Sequence, residues 1–115
     1  MENKIHKLKI RAIDGAVFAA IKNGVKKIET RAAIASYRKI KKGDTIIFVC
    51  GGKSIEKEIS GAVLYKSIGA LFRQYKVKDV FPGLTTINEA RKVYYSFPDY
   101  REKLKKYGLI AWKLN

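Results

Sequence analysis

The sequence has one cysteine, one histidine and no long apolar run, and each absence removes a class of protein. Cys50 alone cannot form an intrachain disulfide, and together with His6 it provides too few ligands for a structural zinc site. No apolar stretch approaches the roughly 20 residues needed to cross a bilayer. The first ten residues, MENKIHKLKI, lack the apolar core of a signal peptide. We therefore expect a soluble, cytoplasmic protein without a membrane partner, a metal or a cofactor.

Acidic residues are also scarce. Ten Asp and Glu stand against 25 Lys and Arg, which gives a formal net charge of +15. Residues 1–49 carry +8 of this charge and residues 50–115 carry +7, so the folded surface itself must be basic. Such a surface favours polyanions, of which nucleic acid is the usual one. The alternative is a solvated basic surface without a partner.

Length and apolar pattern predict one domain over residues 1–115. The 47% hydrophobic content is enough to build a core. Apolar periodicity predicts strands near residues 5–10, 25–31, 44–49, 55–65 and 108–114. Helices are predicted after Asp14, Ser67, Thr86 and Pro98, and residues 32–42 form a loop or a short helix. Gly24 is expected to end the first helix as a left-handed C-cap, Thr86 with Glu89 fits a capping box, and Gly61 predicts a bulge or bend in the fourth strand. This order predicts an α+β fold with a curved mixed sheet or a small barrel.

The strand containing Lys26, Lys27, Ile28, Glu29, Thr30 and Arg31 carries unusual charge, because strand interiors are normally depleted of charged residues. It is either an edge strand protected by charge or the wall of a polar site. Lys26 and Glu29 are three positions apart and cannot point together from a regular strand. They converge only at a bulge, or if Lys26 still belongs to the turn after Gly24. In that case the pair favours both charged forms, which opposes the lowered Lys pKa that catalysis needs.

Two motifs in this region resemble a known family. The pattern G-x-K-x-x-E-x-R is followed by a basic spacer and then by I-x-x-G-D-x-I-x-F, beginning at Gly24 and at Ile40. Together they resemble the ASCH domain, and further matches at 63–72, 81–82, 94–95 and 106–111 extend the resemblance over about residues 8–114. The resemblance implies a PUA-like mixed β pseudo-barrel of about five to six strands with flanking short helices. It also implies a polar cleft and a role that involves RNA or nucleosides.

The resemblance leaves two function classes open. Some small bacterial members of the wider family are amidohydrolases that deacetylate acetylcytidine with a Lys, a Thr three residues later and a more distant Glu. Lys26 matches the Lys, but Glu29 stands at the Thr position and the later Glu has no identified counterpart. We therefore expect an RNA- or modified-nucleoside-binding module, with tRNA among the candidate partners. The alternatives are an amidohydrolase or nuclease that uses Lys26, and a module that binds an acidic protein.

The predicted sites follow from these hypotheses. The expected ligand cleft is lined by Lys26, Glu29, Arg31, Asp44 and Tyr95. Within it, Glu29 would accept from a base amino group, while Lys26 and Arg31 would hold phosphate or carbonyl oxygens. Two alternatives remain open: Arg31 either contacts the ligand directly or is a structural fork onto Asp44, and Tyr95 either stacks on a base or is a half-buried structural residue. The expected RNA-binding surface, or else an ordinary solvated loop, comprises Lys22, Lys27, Tyr37, Arg38, Lys39, Lys41 and Lys42.

Overall fold

The computed structural model describes residues 3–115, so residues 1 and 2 of the predicted domain lie outside the described part. The fold is α+β, a five-stranded curled half-barrel flanked by six short helices, as predicted. The strands are β1 (Ile5–Lys9), β2 (Ile28–Ala32), β3 (Thr45–Cys50), β4 (Lys53–Tyr65) and β5 (Leu109–Leu114). The helices are α1 (Gly15–Lys22), α2 (Ala35–Arg38), α3 (Ile68–Gln74), α4 (Val77–Val80), α5 (Ile87–Ser96) and α6 (Tyr100–Tyr107).

The sheet order leaves the half-barrel open between its first two strands. The order is β1-β3-β4-β5-β2, with β1 parallel to β3 and every other neighbouring pair antiparallel. The edge strands β1 and β2 are therefore not paired with each other, and the gap between them is called the seam here. A closed barrel would have backbone hydrogen bonds along this line. Instead, Arg31 Nη2 of β2 donates to the carbonyl of Lys9 at the end of β1 over 3.4 Å.

The long strand β4 produces the curl. Its first half, to Glu58, pairs with β3, and its second half, from Ile59, pairs with β5. The register shifts between Ile59 and Gly61, which confirms the irregularity predicted from the glycine. An extra residue at this point bends the strand and increases its twist, so one strand can serve both halves of the sheet.

Two cores pack against opposite faces of β5. Ile110 and Trp112 point into a core with β1, β3 and α1, whereas Leu109 and Ala111 point into a core with helices α3 to α6. This alternation follows from the two-residue period of a strand. A strand buried on both faces is a rigid centre, and it places its neighbour β2 next to both cores.

Three helix ends that were predicted from neighbouring residues in the sequence are confirmed. Gly24 has φ +82° after α1, the Ser67 hydroxyl accepts from the amide of Ala70 over 3.0 Å, and Thr86 with Glu89 forms a capping box. No helix within residues 3–115 has the length and apolar content that crossing a bilayer requires.

Candidate functional site

A cavity of about 670 Å³ lies at the seam. Its walls come from the end of β1, from α1, from β2, from the connection between α4 and α5, from the end of α5, and from the start of α6. Small-molecule sites usually fall between about 300 and 1,000 Å³. The seam cavity is therefore large enough for a ligand, and the open sheet edge is what creates it.

Lys26 lies in this cavity with its charged group almost wholly buried; the residue is only 4% exposed. It precedes β2, and its amide donates to the carbonyl of Ala20 over 3.0 Å, which holds it against α1. Its Nζ donates to the carbonyl of Val80 and lies 3.5 Å from Oε1 of Glu29. Lys26 and Glu29 therefore do converge, because Lys26 belongs to the turn after Gly24 and not to the strand.

Glu29 is the carboxylate of the cluster and is 6% exposed. Its Oε1 accepts from the amide of Thr30 over 3.0 Å in addition to its contact with Lys26. Its Oε2 accepts from Nε and Nη2 of Arg31 over 3.3 and 3.2 Å. The charges of β2 are therefore the wall of a polar site. A weak surface ion pair on an edge strand, the other reading of this sequence, would leave them solvated.

The charge states of the cluster reflect competition between burial and Coulomb attraction. Burial lowers the pKa of Lys26 below its ordinary value, although the nearby Glu29 carboxylate acts in the opposite direction. Burial alone would raise the pKa of Glu29, but the charges of Lys26 and Arg31 and the hydrogen bonds to the carboxylate lower it. Glu29 therefore opposes a lowered pKa at Lys26, as expected, but burial has the larger effect, and the depth of burial is not evident from the sequence.

Hydroxyl groups line the other face of β2. The hydroxyls of Thr30 and Tyr94 are hydrogen-bonded at 2.5 Å, and this bond connects α5 to β2. Burial raises the pKa of Tyr94, so its phenol stays protonated. The phenol oxygen of Tyr100 accepts from the amide of Ala32 over 3.2 Å. Tyr94, Thr30 and Tyr100 all contribute to the cavity wall.

Aromatic side chains complete the cavity wall. Phe81, Phe97 and Tyr100 are half-buried there, and the rings of Phe97 and Tyr100 meet edge to face with centroids 5.0 Å apart. The guanidinium of Arg11 lies 5.8 Å above the ring of Phe97. Sequence reasoning missed Phe97 and Tyr100 as site residues. The sequence feature that could have identified them is the pair of aromatic residues on either side of Pro98, where one predicted helix ends and the next begins.

Two residues predicted to line the cleft lie elsewhere. Asp44 is buried at the start of β3, where it accepts from the amides of Lys4 and Lys41 over 3.0 Å and pairs with His6 Nε2 at 2.9 Å. These bonds fix the loop before β3 to β1, so the predicted fork from Arg31 to Asp44 does not form. Tyr95 is 39% exposed on α5 and does not line the cavity, because the helix turns it away from the face that carries Tyr94. The Arg101 guanidinium lies 4.1 Å from its ring centroid.

The predicted RNA-binding surface is exposed at its lysines but not at Tyr37. Lys22, Lys27, Lys39, Lys41 and Lys42 are exposed. Tyr37 packs edge to face on Trp112 with centroids 5.9 Å apart, and its hydroxyl accepts from Arg31 Nη1 over 3.4 Å. Tyr37 therefore supports the core and the cluster.

Arg38 connects two basic segments of the chain. Its guanidinium donates to the carbonyls of Ala33 and Tyr107 over 2.7 and 2.9 Å, so α2 lies beside the end of α6. Residues 35–42 and 100–107 together carry a net charge of +7, and they are called the basic surface here. The contribution of α6 was not predicted, because residues so distant in the chain meet only in the fold.

No protein-family model matches the chain, and comparison with curated proteins finds no significant similarity. Solved structures do match it. The crystal structure of hypothetical protein PH0355 is 35% identical, with a TM-score of 0.83 and 97% of each chain covered. The chain belongs to the same family as PH0355. Protein PF0455 from Pyrococcus furiosus, a solution structure, is 32% identical with a TM-score of 0.72, and the match covers 100% of this chain and 96% of PF0455. These relatives share the fold over nearly their whole length.

Proposed function

We propose that this protein is an ASCH-type, PUA-like module that binds RNA and holds one nucleotide or modified nucleoside in the seam cavity. The observation that carries the proposal is the meeting of Lys26, Glu29 and Arg31, three residues of the G-x-K-x-x-E-x-R motif, in one buried polar wall of a ligand-sized cavity. Burying charged groups costs free energy, so a buried charged cluster that lines a cavity indicates a functional role such as ligand binding.

The aromatic walls support a nucleobase as part of the ligand. Phe81, Phe97 and Tyr100 line the cavity next to the charged cluster. Stacking on an aromatic side chain stabilises a bound base by about 1–3 kcal/mol and tolerates different bases. A site with aromatic side chains beside hydrogen-bond donors is what an unpaired nucleotide requires.

The basic surface supports contact with the rest of an RNA chain. It is linked to the cavity at two places, because Tyr37 of α2 contacts Arg31 and Tyr100 of α6 lines the cavity. Phosphates bound on this surface would continue from a nucleotide held at the seam. The proposal includes a cytoplasmic location, with tRNA among the candidate RNAs.

Titration with labelled tRNA and with a generic single-stranded RNA tests the proposal. The double variant Lys39→Glu/Lys42→Glu reverses two exposed charges of the basic surface and should weaken RNA binding by about tenfold or more. The matched control Lys7→Glu/Lys53→Glu reverses two exposed lysines on another part of the sheet, beside Ile47 and Val49, and should weaken binding much less. Equal losses in both variants would indicate nonspecific attraction, and an absence of RNA binding would refute the proposal.

A second candidate function is hydrolysis of an amide or phosphodiester bond in a nucleoside or RNA. The observation in its favour is the lowered pKa of Lys26, since a less basic amine is better suited to proton transfer at neutral pH. Incubation with acetylcytidine and with RNA, followed by chromatography of the products, tests it. Turnover that disappears in Lys26→Ala while the fold persists would establish the enzyme. We expect binding without turnover.

A further inference from the structure

We propose that Lys26 and Arg31 bind an oxyanion in the seam cavity, namely a phosphate group of the nucleotide ligand. In this arrangement Glu29 holds the two cations in position and does not contact the ligand. The proposal deepens the function proposed above, and it rests on that function for the identity of the phosphate carrier.

The first observation is that both oxygens of the Glu29 carboxylate already face donors of the protein. A carboxylate offers about four lone-pair positions. Two positions on Oε1 face the amide of Thr30 and Nζ of Lys26, and two on Oε2 face Nε and Nη2 of Arg31. A base amino group would have to displace one of these donors from a buried charge. The role first predicted for Glu29, acceptance from a base amino group, is therefore disfavoured.

The second observation is that the same wall retains unused donors. Lys26 has three N–H groups; within residues 3–115 one of them donates to Val80, and Oε1 of Glu29 lies 3.5 Å from Nζ. Arg31 has five, and its contacts with Glu29, Tyr37 and Lys9 within residues 3–115 account for four. The phenol of Tyr100 accepts from Ala32 and keeps its own O–H to donate. The wall can therefore donate to several oxygens of one ligand group.

The third observation is the charge of the cluster. With its charged groups ionised, the cluster contains two cations and one anion and is positive overall. The other carboxylate that lines the cavity, Asp14, is less buried and already pairs with Nε of Arg11 at 2.9 Å. An excess buried charge is unfavourable unless it is compensated. A ligand with a negative group would supply the missing charge, which a neutral nucleoside cannot do.

Phosphate fits these three observations better than a keto base does. A phosphate group presents only acceptor oxygens to a wall of donors, whereas a keto base also presents an N–H that needs an acceptor. The half-buried rings of Phe97 and Tyr100 are in the same cavity and leave a place for the attached base.

Isothermal titration calorimetry of the intact protein tests the proposal with four probes: cytidine, its 5′-monophosphate, its 3′-monophosphate and inorganic phosphate. We expect at least one monophosphate to bind about 10- to 100-fold more tightly than cytidine, the effect of one hydrogen bond between charged groups. Inorganic phosphate should compete with it if the phosphate alone carries recognition. Lys26→Met should abolish the difference between monophosphate and cytidine, and Lys53→Met, a change at an exposed lysine that does not line the seam cavity, should preserve it.

The wild-type comparison decides the proposal even if Lys26→Met does not fold. If cytidine binds as tightly as both monophosphates, or if no phosphate compound binds, the proposal is wrong. The proposed RNA function can still stand in that case on the tRNA titration. If inorganic phosphate binds through Lys26 and RNA does not, the proposal stands and the RNA function falls.

The positioning role of Glu29 has a separate test. Glu29→Asp keeps the charge but shortens the side chain, so it should weaken binding of every monophosphate by a similar factor. The order of affinity among the cytidine, uridine, adenosine and guanosine monophosphates should remain that of the wild type. A changed order would mean that Glu29 contacts the base, and it would overturn this part of the proposal.

Discussion

At the scale of the residue, the central feature is a buried cluster of three charges. Lys26 and Glu29 are 4% and 6% exposed, and Arg31 connects Glu29 to β1. A surface ion pair stabilises a protein by about 0–1 kcal/mol, whereas removal of one partner from a buried pair costs much more. The stability of this protein should therefore be unusually sensitive to Glu29, the anion that both cations share.

Glu29→Gln should lower the free energy of unfolding by about 3–5 kcal/mol at pH 7, because it leaves two buried cations without their counter-ion. Urea unfolding followed by circular dichroism measures the change. Glu58→Gln, which changes an exposed carboxylate on β4, is the control and should stay within about 0.5 kcal/mol of the wild type. Equal unfolding midpoints for Glu29→Gln and the wild type would contradict the geometry of the cluster.

Glu29 should also contribute to the acid sensitivity of the fold. Its pKa in the folded protein lies below its ordinary value of 4.5, so as the pH falls the unfolded chain takes up this proton first. The stability that it contributes is therefore complete above about pH 4.5 and is lost as the pH falls through the folded pKa.

Urea unfolding as a function of pH tests this contribution. Below about pH 4.5 the free energies of unfolding of the wild type and Glu29→Gln should converge. Asp44 and Glu89 also have lowered pKa values. They contribute equally to the pH dependence of both proteins, so their contributions cancel in the difference between the two free energies of unfolding. A constant difference down to low pH would show that the charge of Glu29 is not what stabilises the fold.

At the scale of the element, the junction between α6 and β5 leaves no room for a side chain at Gly108. Gly108 has φ +75°, and a Cβ at this position would lie 2.5 Å from the carbonyl oxygen of Tyr65 in β4. Its carbonyl accepts from the amide of Ala33, so the same residue ties β5 to the segment after β2. The packing of α6 against β2, and with it the placement of Tyr100 in the cavity, depends on this close approach.

Gly108→Ala should destabilise the protein by more than about 1 kcal/mol, because it adds both backbone strain and a backbone clash. Gly52→Ala is a suitable control, since a Cβ there meets nothing within 4 Å and the backbone lies outside the left-handed region. Thermal unfolding of the two variants measures the difference. A Gly108→Ala variant as stable as Gly52→Ala would mean that the junction can shift to accept the methyl group.

At the scale of the whole molecule, the dominant property is the net charge of +15. Residues 35–42 and 100–107, which Arg38 connects, carry +7 of it. Long-range attraction of a polyanion depends on such local density more than on total charge, since salt screens charges beyond roughly 10 Å. Under the proposed RNA-binding function, these segments are where RNA should bind, and the binding should depend on salt.

The logarithm of the affinity for single-stranded RNA should fall linearly with the logarithm of salt concentration, with a slope of about −0.7 for each phosphate contacted. Lys39→Glu/Lys42→Glu removes two contacts and should reduce the magnitude of the slope by about 1.4. A titration series over salt concentration, with Lys7→Glu/Lys53→Glu as control, measures the slope. An unchanged slope in the first variant would place the RNA elsewhere on the molecule.

Features that depend on near neighbours in the chain were predictable. The fold class, the five strands, the Gly24 helix end, the irregularity at Gly61 and the Thr86 capping box were all predicted and are confirmed. The site was predicted only in part. Lys26, Glu29 and Arg31 line one cavity, although the sequence left open whether Lys26 and Glu29 converge. Asp44 and Tyr95 were expected in the cleft but lie outside the cavity, because nothing in the sequence indicates which way the loop before β3 or the second tyrosine of α5 faces.

The α+β class, the basic character and the charged motif around β2 could all be derived from the chain alone, since periodicity, composition and spacing are local properties. The fold was needed to show that β1 and β2 stay unpaired, that a cavity opens between them, and that Phe97 and Tyr100 line it. It also decided that burial prevails over the ion pair at Lys26. The physical reason is that burial and charge compensation are set by residues distant in the chain, and only the fold brings these together.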